Sequence, residues 1–235
     1  MDDYYSPLKL DHAEKYDDQP RTEVIALIER PPEMVLEIGC AAGATGLAIR
    51  QKYPGVTYVG VEIDEGAAEK ARSCLDRVIC GDIENMAPDD ADLPKETFDL
   101  VICNDVLEHL YDPWKVLNFL RDRLKTGGRI IASIPNVQNL SVVLNLIGGN
   151  WTYTPFGLLD ATHIRFFTLP EIQRMFECGG FRILACTSVI QGRIDGEDWP
   201  KDLDYGKVLI RNVSREEAGM LFTFQYMIVA EKKDG

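Results

Sequence analysis

Short, almost wholly apolar runs alternate along this chain with segments whose apolar residues recur every three or four positions. Met34 to Ile38 is apolar except for Glu37, the pattern of a strand buried on both faces. A helix is predicted from Ala44 to Lys52, stopped at Pro54-Gly55. Val56 to Glu62 reads as a second strand. Asp64 then caps a helix from Glu65 to Leu75, with Ala67, Ala68, Ala71 and Leu75 on one face. Arg77 to Cys80 and Phe98 to Cys103 are the third and fourth strands. Asp112-Pro113 opens a helix whose inner face is Val116, Leu117, Leu120 and Leu124, and Gly127-Gly128 closes it. Gly128 to Ile134 is the fifth strand. A short helix, Thr22 to Glu29, precedes the series and is halted by Pro31 and Pro32. Strands that alternate with helices in this way predict a parallel sheet covered on both faces.

After Ile134 the rhythm breaks. Residues 135–167 are rich in Asn, Gly and aromatics, and within them only Leu140 to Ile147 reads as a helix, a candidate lid. Thr168-Leu-Pro-Glu171 has the form of a capping box, so a helix is predicted from there to Cys178, ended by Gly179-Gly180. Phe181 to Val189 and Leu221 to Glu231 read as two last strands, separated by a polar insertion, 191–220. Residues 1–21 form an arm without clear period. Its tyrosines, Tyr4, Tyr5 and Tyr16, are candidates to close over a ligand. No internal repeat or low-complexity linker divides the chain, so 1–235 is expected to be a single domain.

Charge narrows the partners. The net charge is −13 and no dense Lys/Arg run occurs, which argues against nucleic-acid substrates. The six cysteines form no C-x-x-C pair, and several fall inside predicted strands, which favours a reducing, cytoplasmic setting. The first residues are too polar for a signal peptide, and Leu140 to Ile147 is too short to span a bilayer, so no stable membrane insertion is expected.

The chemistry starts at the loop after the first strand, Gly39-Cys-Ala-Ala-Gly43-Ala-Thr-Gly46. Small residues let a ligand approach the backbone, and the helix that follows points free N–H groups at it. The spacing does not fit G-x-G-x-x-G, and no Gly-Lys-Ser/Thr phosphate loop is present. Glu62 ends the second strand, where a carboxylate can accept both hydroxyls of a ribose. Asp82 follows the third strand, placed to accept from an adenine amino group while Ile83 packs on the ring.

Together Glu37-Ile-Gly-Cys-Ala-Ala-Gly43, Gly60-Val-Glu62, Gly81-Asp-Ile83, Asn104-Asp-Val-Leu-Glu-His109 and Leu124-Lys-Thr-Gly-Gly128 resemble the successive motifs of class I S-adenosylmethionine-dependent methyltransferases. The resemblance runs from about Thr22 to Arg182. It implies a Rossmann-like, seven-stranded, mostly parallel sheet with helices on both faces and an antiparallel last strand. It also implies S-adenosylmethionine as cofactor. Gly39, Cys40 and Gly43 would line its methionine part, Glu37 would orient the loop or reach the amino group, and Glu62 with Ile63 would meet the ribose. Asp82 and Ile83 would hold the adenine, and Asn104 the methionine part. Ala41 stands where many members carry Gly.

The acceptor side is expected beyond Ile134. His163 is one of three histidines and a candidate general base for a hydroxyl. Asn136, Arg165, His109 and Tyr153 are candidates to bind the acceptor. Asp160-Ala-Thr-His-Ile-Arg-Phe-Phe-Thr168 resembles, over fewer residues, methyltransferases of glycan and polysaccharide pathways, and a related Thr-His occurs in quinone O-methyltransferases. O-methylation of a sugar or glycan precursor is the first reading. N-methylation of an amine, O-methylation of a quinone or phenol, and a cofactor-binding regulatory module remain beside it. The histidines are far apart in sequence and lack ligand spacing, so no metal is expected. The oligomeric state stays open.

Overall fold

The computed structural model describes residues 6–9, 19–190, 194 and 198–233. Most of the arm, including Tyr4, Tyr5 and Tyr16, lies outside them. Nine strands and seven α-helices are formed by the described residues: α1 Thr22–Ala26, β1 Met34–Ile38, α2 Ala44–Lys52, β2 Thr57–Glu62, α3 Glu65–Ala71, β3 Arg77–Cys80, β4 Phe98–Asn104, α4 Pro113–Arg123, β5 Leu124–Pro135, α5 Leu140–Ile147, α6 Leu169–Cys178, β6 Phe181–Ile190, β7 Lys201–Asp204, β8 Leu209–Val213, α7 Arg215–Phe222 and β9 Thr223–Lys232. Seven strands form one sheet in the order β3-β2-β1-β4-β5-β9-β6. β1 to β5 run parallel, and β9 is antiparallel to both of its neighbours. This is the expected Rossmann-like architecture.

The sheet is buried on both faces because neighbouring residues of each strand point opposite ways. Leu36, Ile38, Val59 and Val61 join Val116, Leu117 and Leu120 of α4 and Ile172, Met175 and Phe176 of α6. Val35, Tyr58, Leu100 and Ile102 face the other way, onto Val24 of α1, Ile49 of α2 and Ala71 of α3. Two sequence expectations change here. α4 stops at Arg123, and Leu124 already belongs to β5, because it pairs with Phe98 at the foot of β4 before an irregularity leads to the Leu100–Arg129 pair. The glycine pair therefore lies inside β5 and does not cap the helix. The Thr168 side chain makes no capping bond, so the predicted capping box is not closed, although α6 starts where the pattern placed it.

The polar insertion is not structureless. It carries the hairpin β7–β8 and helix α7, with Leu203, Val213 and Ala218 buried in a small core of their own. Ser214 and Glu217 form a full capping box at the start of α7. Short strands with little apolar content hide such elements from periodicity.

Candidate functional site

The carboxyl ends of β1, β2, β3 and β4 open into one cavity of about 710 Å³. Ligands bind at this edge of open α/β sheets, where loops leave the strands. The β1 loop is shaped by its backbone. Gly39 and Ala41 both adopt positive φ, +68° and +47°. The Gly39 and Cys40 N–H groups donate to the Val61 carbonyl, which pins the loop against the end of β2. A Cβ on Gly39 would lie 2.8 Å from the Val106 side chain, so the loop can pass beside the β4 loop only as glycine.

Gly43 departs from expectation. It is not part of the cavity wall. With φ +86° it stands at the N-cap of α2, and a Cβ there would sit 3.1 Å from that of Cys74 and 3.2 Å from the Cα of Ala71. Its work is to let α2 start close against α3.

Glu62 ends β2, 4% exposed, and lines the cavity. Its Oε2 accepts the Ala41 N–H at 2.8 Å and its Oε1 accepts the Asp64 N–H at 2.9 Å. Each oxygen keeps a second lone pair for a ligand hydroxyl. Asp82 is held in the same manner. It accepts from the Glu84 N–H and the Asn85 side-chain amide, and it lies on the wall with Ile63 and Ile83. Two carboxylates on neighbouring strand ends, flanked by isoleucines, suit a ribose and a base.

Glu37 is buried below them and accepts the Tyr58 hydroxyl at 2.9 Å. Burial pushes its carboxyl up to about 8; the Tyr58 hydroxyl opposes this, and the nearby Glu62 charge adds to it. Asn104 lines the cavity, and its buried side-chain oxygen and nitrogen meet no hydrogen-bond partner among the described residues. Arg21, also on the wall, pairs with Asp105 and Glu23.

The opposite wall is built from the segment after α5. Asp160 Oδ1 accepts both the N–H and the hydroxyl of Thr162, and the His163 N–H donates to the Asp160 carbonyl. This turn is why Asp-Ala-Thr-His presents its histidine inward. His163 is 8% exposed and lines the cavity with Asp160, Gly157, Phe156 and Phe224. Its Nδ1 lies 3.3 Å from the Leu158 carbonyl. His109 also lines the cavity, edge-on to His163 with ring centroids 4.7 Å apart, and its Nδ1 meets the Thr162 carbonyl and hydroxyl.

Three acceptor-side expectations are corrected. Asn136 is fully buried, and its amide donates to the Met220 and Thr223 carbonyls, which ties the end of β5 to the start of β9. Arg165 is outside the cavity wall, bound to the Tyr111 carbonyl and stacked on the Tyr111 ring. Tyr153 is also off the wall and about a third exposed. Asn136 follows the cavity-lining Pro135 in sequence, but its own side chain is spent on the carbonyls of Met220 and Thr223.

Sequence reading undervalued Glu108, which appeared only inside a motif. The turn Leu107–His109 buries it to 1% exposure on the cavity wall. An acid between Leu107 and His109, directly after β4, was the available signal. Histidines distant in sequence also meet. Glu108, His109 and His163 each place a donor atom within 4.8 Å of the others, a spacing that by distance alone admits a cation.

The model of the family described as "Methyltransferase domain" matches residues 11–185. The chain is similar to the ubiquinone biosynthesis O-methyltransferase of Coxiella burnetii, 25% identical over 163 residues, 66% of each chain. The counterpart from Idiomarina loihiensis is 29% identical over 170 residues, 69% of this chain and 67% of that one. The aligned stretch thus spans just under two thirds of the Coxiella relative. A crystal structure of a SAM-dependent methyltransferase from Archaeoglobus fulgidus superposes with a TM-score of 0.62 at 20% identity, covering 93% of this chain and 97% of that one. The chain belongs to this methyltransferase-domain family.

Proposed function

We propose that the protein transfers the methyl group of S-adenosylmethionine to a hydroxyl oxygen of a small molecule, with His163 as general base. The observation that carries this is the meeting, in one cavity, of the strand-end carboxylates Glu62 and Asp82 with a buried histidine on the facing wall. The cofactor supplies an activated methyl on a sulfonium. Glu62 and Asp82 hold its polar groups, and Ile63 and Ile83 cover its flat ones. The wall then has to orient a hydroxyl and accept its proton. Neutral imidazole does the second near neutral pH, and positioning supplies much of the rate.

A phenolic or catecholic hydroxyl is the acceptor class we favour. The relatives named for O-methylation in ubiquinone biosynthesis point that way, and Phe156, Phe224, Val106 and Leu110 give the wall an apolar part for a ring. The sugar or glycan acceptor has no counterpart among those relatives. Incubation with S-adenosylmethionine and a catechol, a simple phenol, a hexose and a primary amine, followed by mass spectrometry, separates the readings. The catechol or phenol should be methylated, and His163→Ala should lower kcat by about a hundredfold or more. Methylation of the amine alone, with full activity in H163A, would exclude the proposal.

A further inference from the structure

Glu108 is a buried carboxyl on the cavity wall that the assignment above leaves without work. It is 1% exposed, and neither oxygen has a hydrogen-bond partner among the described residues. Its Oε1 lies 3.9 Å from His163 Nε2, beyond hydrogen-bond reach, so the histidine does not satisfy it. Such groups are few in folded proteins, and each asks for a reason. The backbone holds this one in place. Glu108 sits in the turn Leu107–His109, and its own carbonyl accepts the N–H groups of Ile164 and Arg165, both at 3.0 Å. Those two bonds fix its side chain beside the segment that carries His163.

The surroundings also set its protonation. Burial and then the Asp105 charge hold the carboxyl well above the ordinary carboxylate range; Asp160 adds to this and Arg21 opposes it. At neutral pH the group is therefore a neutral acid, with one O–H to donate and lone pairs to accept. A carboxylate suits a cation. A neutral acid suits a hydroxyl, which likewise donates and accepts.

We propose that Glu108 binds a second hydroxyl of the acceptor, on the carbon next to the one bearing the reacting oxygen, so that the site selects a vicinal diphenol over a simple phenol. This rests on the reading of the acceptor as a phenol and narrows it. The ring lies against Phe156, Val106 and Leu110, the apolar part of the wall. The polar ends of Glu108 and His163 are 3.9 Å apart, so oxygens on adjacent ring carbons bring one hydroxyl to Glu108 and leave the other beside the imidazole. The hydroxyl on Glu108 does not react. It pairs a group that a simple phenol leaves unpaired, and it fixes which oxygen of the ring is offered to the methyl.

Binding tests this without turnover. Calorimetry on protein saturated with S-adenosylhomocysteine compares catechol, resorcinol and phenol in wild type, Glu108→Gln and Glu108→Met. Wild type should bind catechol about tenfold or more tighter than phenol, the gain from pairing a buried polar group. Resorcinol, whose second hydroxyl is one carbon further round the ring, should bind like phenol. Glutamine donates and accepts as the neutral acid does, so E108Q should keep the catechol preference within about threefold. E108M should bind catechol and phenol alike, with phenol affinity within about threefold of wild type. It exchanges an unpaired polar group for an apolar one, so it should melt no lower than wild type. The wild-type ligand series decides the matter even if E108M does not fold. Equal binding of catechol and phenol by wild type, or resorcinol bound as tightly as catechol, would overturn the inference. So would equal loss of catechol and phenol in E108M, or a catechol preference that a chelator removes and Mg²⁺ or Zn²⁺ restores. Methylation of a primary amine alone would instead overturn the phenol reading beneath it.

Discussion

Ala41 and Gly43 stand two residues apart and answer to different demands. Ala41 accepts a left-handed backbone, which costs an L-residue about 1–2 kcal/mol, because Glu62 Oε2 takes its N–H. Glu62→Ala should therefore act twice, loosening the β1 loop and removing the proposed ribose acceptor. Calorimetry with S-adenosylhomocysteine should show affinity down by roughly tenfold or more, the loss expected when a charged hydrogen-bonding group is removed. Gly43→Ala should leave the cavity wall alone and destabilise the fold, by about 2 kcal/mol from left-handed backbone plus crowding against α3. Its signature is a lower Tm with little change in cofactor affinity per folded molecule. Glu37 offers a pH test. Its carboxyl is raised to about 8 by burial, so the folded protein binds a proton that the unfolded chain releases near 4.5. Stability from this group is full below about 4.5 and falls as pH rises toward 8. Urea titrations of Glu37→Gln should lack that decline. Such residue-level distinctions were only half readable beforehand. The loop's Gly and Ala content revealed a close backbone approach, but it could not reveal which glycine faces a ligand and which faces a neighbouring helix.

At the scale of elements, α2 and β3 could be read to their terminal residues, because glycine or proline stands at their ends, Gly43 and Pro54 around α2 and Gly81 after β3. The boundary between α4 and β5 could not. Leu124 suits the apolar face of a helix as well as a strand, and only its pairing with Phe98 settles which. The same ambiguity misplaced Asn136. A polar residue at the carboxyl end of a central strand suggests an acceptor pocket, yet its amide instead ties β5 to the end of α7 and the start of β9. Asn136→Ala leaves two buried carbonyls with one donor fewer, so it should cost about 1–3 kcal/mol. Chemical denaturation should detect this, while the KM for S-adenosylmethionine stays within about twofold. His163 could be identified from sequence as an inward-facing candidate, because the Asp160 turn that presents it is local. Its neighbours Glu108 and His109 arrive from β4, far away in the chain, and no local pattern announces that meeting.

For the whole molecule, the parallel half of the sheet, β1 to β5, follows directly from alternating periodicities, and the position of β9 does not. β9 comes after β6 in the chain but lies between β5 and β6, antiparallel to both. During synthesis β5 and β6 are thus made well before the strand that joins them. Until β9 arrives, the apolar run Ile130 to Ile134 keeps one edge open, and β6 has no place in the sheet. The nascent chain therefore passes through an interval in which half its core has formed around an unpaired, sticky edge. A chaperone that shields strand edges would act in that interval, and synthesis rate would then set yield as much as final stability does.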